Sequence, residues 1–135
     1  MKKSMLAASL LAALTWTAGA FAQPPAVNVT LVNGQIQVDP ETVHVERQMG
    51  RNVPIKWQID PRADFSFDPT AIRVEGEQTS GGLRPQDQLP RECNGGPKHV
   101  TCVNRNTRPG QFKYTVRLRD RNHALIERDP IIINR

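Results

Sequence analysis

The sequence predicts an all-β chain folded as an antiparallel two-sheet sandwich of about seven to nine strands. Apolar residues recur with period two in short segments, and no stretch of comparable length places them at helical i, i+3, i+4, i+7 spacing. Turn residues, Asp-Pro and Asn-Gly among them, separate the segments. Successive side chains of a strand point to opposite faces, so period two leaves one face apolar, and two such faces bury each other.

In chain order, Val27, Val29 and Leu31 alternate with Asn28 and Thr30. Asn33-Gly34 follows, and then Ile36 and Val38 alternate with Gln35 and Gln37. Both residues of Asn-Gly tolerate positive φ, which makes this pair a hairpin. Val43 and Val45 come next, with His44 on the solvent phase between them. The period continues through Val53, Ile55, Trp57 and Ile59, then Ile72 and Val74, and last Phe112, Tyr114, Val116 and Leu118.

Four Asp-Pro steps, Asp39-Pro40, Asp60-Pro61, Asp68-Pro69 and Asp129-Pro130, are expected to bound strands. Proline fixes its φ, pushes the preceding residue out of the helical region and cannot donate to a ladder. Two of the steps lead into similar segments ending Val43-His44-Val45 and Ile72-Arg73-Val74, read as one turn solution used twice rather than an internal repeat. Between about residues 76 and 110 the alternation breaks down among Gly81-Gly82, Pro85, Pro90, Gly95-Gly96-Pro97 and Pro109. That stretch is read as a long loop holding at most a short strand at Val100, Cys102 and Val103.

The chain opens Met1-Lys2-Lys3, stays uncharged from Met5 to Thr17 and reaches Ala20-Phe21-Ala22 before Gln23. A basic start, a short apolar run and small residues at a cleavage site predict a secretory signal peptide over residues 1–22, a single sandwich domain over 23–135, and a periplasmic or secreted product. The rival is a transmembrane anchor, which the short apolar core disfavours; no membrane span is expected after cleavage. Export makes Cys93 and Cys102 a disulfide rather than half of a metal site. A bridge closing about ten residues contributes on the order of 2 to 3 kcal/mol and staples the 76–110 loop.

Charge is unevenly spread. The leader holds two of the 18 basic residues and none of the 13 acidic ones, which lowers the net charge from +5 to +3. From Lys98 onward nine Lys or Arg meet only Asp120, Glu127 and Asp129, so a basic end follows a mildly acidic body. If Phe112, Tyr114, Val116 and Leu118 face the core, then Lys113, Thr115, Arg117 and Arg119 share the outer face, with Arg121 just beyond. That row of cations suits phosphate, sulfate, acidic glycans or an acidic protein, unless carboxylates on neighbouring strands already pair with it.

The segment Gly110-Gln-Phe-Lys-Tyr114-Thr-Val-Arg-Leu118 resembles a late strand of immunoglobulin-like and cupredoxin-like sandwiches, where a Gly-led turn precedes an aromatic-x-Tyr strand. The resemblance implies the sandwich and raises copper, which that family holds with Cys, His and usually Met grouped after this turn. Here Thr115, Val116 and Arg117 follow Tyr114, and Met49 is the only methionine after residue 22, so the copper motif is missing and no cofactor is expected. His44, His99 and His123 remain metal candidates, although none has a ligand-type partner at close spacing except His99 with Cys102.

Nucleophilic hydrolysis lacks its parts, since Ser66 and Ser80 are the only serines after residue 22 and neither sits in a Gly-x-Ser-x-Gly turn. Carboxylate pairs such as Asp64 with Asp68, or Glu75 with Glu77, are read as solvated surface charges. Aromatic residues are too few to stack bases, and export removes the usual nucleic-acid targets. The expectation is a non-enzymatic exported module that presents the 76–110 loop and the basic row to an anionic ligand or acidic protein partner. An envelope metal-binding protein and a structural scaffold or surface antigen are the alternatives.

Overall fold

Asn33 and Gly34 turn the chain at φ 52° and 74°. They join β1 (Ala26–Val32) to β2 (Gln35–Asp39), with Leu31 opposite Ile36 and Val29 opposite Val38. The computed structural model describes residues 23–135, and the signal-peptide expectation for 1–22 lies outside them. The chain continues through β3 (Thr42–Val45), a short 3-10 turn (Arg47–Met49), β4 (Val53–Gln58), β5 (Ser66–Thr79) and β6 (Gly82–Arg84). It closes with β7 (Asn94–Gly95), β8 (His99–Asn104), β9 (Gly110–Arg119), β10 (Leu125–Arg128) and β11 (Ile131–Asn134).

Sheet A has the order β2-β1-β4-β8-β7, and sheet B the order β3-β11-β9-β5-β6 with β10 also paired to β9. The sheets face each other as a β-sandwich. From sheet A come Val27, Val29, Ile55, Trp57, Val100 and Cys102; from sheet B come Val43, Ile72, Phe112, Tyr114, Leu118 and Ile132, all buried. This is the face that the period-two pattern marked, and it closes one continuous core.

The architecture departs from expectation in three details. There are eleven strands among the described residues rather than seven to nine, because the 76–110 stretch contributes the short β6 and β7 as well as β8, and β10 and β11 follow Leu118, the last residue of the alternating pattern. Neither sheet is purely antiparallel, since β1 runs parallel to β4 and β3 parallel to β11. Parallel neighbours require a crossover, and here β2 and β3 carry the chain from sheet A to sheet B before β4 returns it. Lastly, Asp68-Pro69 lies inside β5 instead of ending a strand, at the irregularity between Phe67 and Ile72 where the register with β9 shifts.

The polar 76–110 stretch is ordered by its own side chains. Gln86 Oε1 accepts the backbone N–H groups of Gln88 and Leu89, each at 2.8 Å. The fully buried Gln88 donates to Thr107 Oγ1 at 2.9 Å and accepts the Thr107 N–H at 2.8 Å. Side-chain amides thus satisfy backbone that no ladder reaches. Cys93 and Cys102 form the expected bridge, both buried, which ties the segment leading into β7 to the centre of β8. A buried disulfide of this kind fits an oxidising compartment.

Candidate functional site

Strand β9 presents Lys113, Thr115, Arg117 and Arg119 on one face, as its alternation requires, while Phe112, Tyr114, Val116 and Leu118 are fully buried behind them. The cations of the row are neutralised in place. Lys113 Nζ lies 3.4 Å from Asp129, Arg117 pairs with Glu127 at 3.0 Å and Asp68 at 3.5 Å, and Arg119 binds Asp68 at 2.8 Å. Thr115 Oγ1 lies within hydrogen-bond distance of both Glu75 and Asp129. Burial pushes the Asp68 carboxyl up, but the hydrogen bonds from Arg119 and the Thr70 N–H, with Arg117 nearby, more than offset this and hold it below its ordinary value. Arg121 alone of the expected site cations is exposed and outside any ion pair among the described residues.

Unpaired positive charge gathers elsewhere. The end of β3, the start of β4, the end of β8, the start of β9 and the end of β11 all lie at one end of the sandwich, as their registers dictate. The loops there enclose a cleft of about 470 Å³ lined by Arg47, Gly50, Arg51, Asn106, Thr107, Arg108, Pro109 and Arg135. Four of those residues are arginines and none is acidic. Arg47, Arg51 and Arg135 are exposed and form no ion pair among the described residues.

A run of asparagines builds the walls. Asn104 and Asn134, buried on opposite sheets, exchange side-chain amide hydrogen bonds at 2.6 and 3.1 Å. Asn134 also donates to the Arg108 carbonyl at 3.3 Å, and Asn104 Oδ1 accepts the Asn106 N–H at 2.9 Å. Asn106, at φ 51°, extends its amide to the Glu46 and Gly50 carbonyls at 3.1 and 2.7 Å, which holds the Arg47–Met49 turn against the β8–β9 loop. Asparagine suits this place because it tolerates the left-handed region and its amide substitutes for a strand partner.

Arg108 forms the inner wall. Its guanidinium donates to both oxygens of Glu77, at 2.9 and 3.0 Å, and to Asp87 at 3.0 Å. Arg84 donates to Glu77 from the other side at 3.1 Å. Hydrogen bonds from Arg108 and then Arg84 hold the Glu77 carboxyl at about 2, against an ordinary 4.5. The bonds it donates to Glu77 push Arg108 up in turn, so it stays charged.

Among the described residues no group of three or more His, Cys, Asp or Glu side chains could hold a metal ion. His44 is exposed on β3, His99 on β8 of the other sheet, and His123 in the turn before β10 at φ 63°. No described helix is long and apolar enough to cross a membrane.

Sequence reasoning located the basic end and the 76–110 stretch that supplies Asn106 to Pro109, but it missed Arg47, Arg51 and Arg135. The available signal was Arg47-Gln-Met-Gly-Arg51, two arginines flanking a turn between strands.

Fold and surface together define a class: a small disulfide-bonded sandwich of two mixed sheets with an arginine-lined cleft at one end. No family model matches the chain, and no curated protein matches it.

Proposed function

We propose that this protein is an exported, non-enzymatic binding module, periplasmic or secreted, and that it holds an anionic ligand in the arginine cleft. One observation carries the reading: Arg47, Arg51 and Arg135 line a cleft that no acidic side chain lines, whereas the β9 cations already have carboxylate partners. Guanidinium groups present several fixed donors that match the paired oxygens of carboxylate, sulfate and phosphate. The buried disulfide and the signal-like N-terminus support export, and the pairing on β9 favours the sandwich end over the strand face as the ligand's seat.

The test is chromatography of the purified protein on heparin and on phosphocellulose at increasing salt. Retention that weakens with salt is expected, because exposed charge contacts are screened over about 8 to 10 Å at physiological ionic strength. Arg47→Glu with Arg51→Glu should abolish retention, while Arg121→Glu should leave it close to wild type. Retention that ignores salt, or that survives the Arg47 and Arg51 reversals, would sink the proposal.

A further inference from the structure

The arginine cleft has a neighbour. Arg73, Val74, Glu75, Gly76, Leu83 and Arg84, continuing into Pro85, Gln86 and Arg91, line a second cleft of about 400 Å³ along β5 and β6. The two clefts share a wall. Arg108 belongs to the first and Arg84 to the second, and both donate to the same oxygen of Glu77, Oε2, at 3.0 and 3.1 Å. Glu77 is 5% exposed, so the carboxylate that joins the two guanidiniums is hidden from anything lying above it.

Beyond that wall the second cleft offers Arg91, exposed and without an ion pair or side-chain hydrogen bond among the described residues, and Arg73, held loosely by Glu75 at 3.8 Å. Unpaired positive charge therefore stands at both ends, Arg47 and Arg51 in the first cleft and Arg91 in the second, while Arg108 and Arg84 between them are paired with Glu77 and the exposed Asp87. A compact anion fills one cleft and has no use for the other. A chain with recurring anionic groups uses both, because each further contact is made at the high effective concentration set by the first.

We propose that the two clefts are one track for a linear acidic polysaccharide carrying recurrent sulfate or carboxylate groups. The proposal rests on the anion reading of the first cleft and extends it. Aromatic chemistry selects the ligand class. The described aromatic residues, Trp57, Phe65, Phe67, Phe112 and Tyr114, are buried or half-buried and none lines either cleft. Single-stranded nucleic acid gains much of its affinity by stacking on such side chains, and protein partners by anchoring on exposed aromatics at the centre of the contact. A sulfated or carboxylated glycan needs guanidiniums and polar loops, and these are what the track displays.

Calorimetry of the full chain with size-defined heparin oligosaccharides tests the idea. A dodecasaccharide should bind about tenfold or more tightly than a tetrasaccharide and with a steeper dependence on salt, because it displaces more counterions. Arg91→Glu should bring the dodecasaccharide down to the tetrasaccharide's affinity without altering the tetrasaccharide or the thermal midpoint. Arg47→Glu with Arg51→Glu should remove both. Equal affinity for the two lengths, or indifference of the dodecasaccharide to Arg91→Glu, overturns the track and leaves the single-cleft anion reading standing. Failure of both oligosaccharides to bind, together with loss of retention on heparin, overturns the two readings at once. Tighter binding of a poly-aspartate peptide or a single-stranded oligonucleotide of equal charge overturns the polysaccharide assignment.

Discussion

Trp57 Nε1 donates a 3.1 Å hydrogen bond to Tyr114 Oη, and the two rings meet edge to face with centroids 5.2 Å apart. One residue belongs to β4 of sheet A and the other to β9 of sheet B, so the bond spans the sandwich between two fully buried side chains. The indole N–H thereby finds an acceptor where water is excluded. Tyr114→Phe leaves the indole N–H without a partner and should cost about 1 to 3 kcal/mol in urea unfolding. Trp57→Ala, which also opens a cavity, should cost about 3 to 5 kcal/mol. A near-neutral Tyr114→Phe would mean that the bond contributes nothing to the core.

The Asn104–Asn134 clasp links the sheets a second time. Asn134→Ala strands the Asn104 amide and the Arg108 carbonyl, and about 1 to 3 kcal/mol of stability should be lost. Because the two side chains act as one unit, Asn104→Ala combined with Asn134→Ala should cost less than the sum of the single changes. Strict additivity in that cycle would show that the side chains are not coupled.

Acid should weaken the wall between the clefts. The Glu77 carboxyl is held at about 2 in the folded chain against an ordinary 4.5. A carboxyl lowered by folding stabilises the fold at pH values above its unfolded value, and that stabilisation is lost as pH falls toward the folded one. The thermal midpoint of the wild type should drop between pH about 5 and 2. Glu77→Gln should be less stable at neutral pH and show a shallower drop in acid, with the remainder coming from Asp68, Asp87 and Asp60, all lowered as well. Parallel pH profiles for the two proteins would remove Glu77 from this account.

On β9 the arginines serve stability. Replacing Arg117 and Arg119 together by Ala leaves Asp68, 7% exposed, with only the Thr70 N–H for a partner. About 1 to 3 kcal/mol should be lost for that stranded carboxylate. Heparin retention should persist in the double variant wherever it remains folded, as circular dichroism would establish. Loss of retention at unchanged stability would return the ligand to the strand face.

Reduction of the Cys93–Cys102 bridge should lower stability by roughly 2 to 3 kcal/mol, set by the length of chain it closes. The hairpin beside it is also sterically constrained. A Cβ on Gly95 would come within 2.2 Å of the His99 carbonyl oxygen and 2.5 Å of Val100 Cα. Both are backbone atoms that cannot swing aside, so Gly95→Ala should destabilise the native protein by an amount that reduction does not enlarge. An unchanged melting curve for Gly95→Ala would argue against so close an approach of β7 and β8.

Much of the fold was legible because its signals are local. Period two identified Val27, Val29, Ile55, Trp57, Phe112, Tyr114 and Leu118 as inward-facing, and Asn33-Gly34 declared its hairpin. Parallel pairing has no local signature: nothing in Val43-His44-Val45 announces that its neighbour is Ile131–Asn134. The outer face of β9 was read correctly as a set of side chains, but Asp68, Glu75, Glu127 and Asp129 reach it from other strands, and one segment's spacing does not reveal what lies across a ladder. The cleft was hidden for the same reason. Its walls come from the β3–β4 connection, the β8–β9 connection and the residue after β11, and only the topology brings Arg47, Arg51, Arg108 and Arg135 to one end.

The place of β11 within sheet B bears on how the molecule comes into being. Ile131–Asn134 is an interior strand, seated between β3 and β9, and it supplies both Ile132 to the core and Asn134 to the clasp. A chain that emerges N-terminus first can assemble the β1–β2 hairpin early, yet β3 has no ladder partner until these late residues arrive. The sandwich therefore closes like a drawstring, by its last strand. Until those residues are in place, the edge of β9 that β11 covers stays open, and so does the part of the core that Ile132 fills.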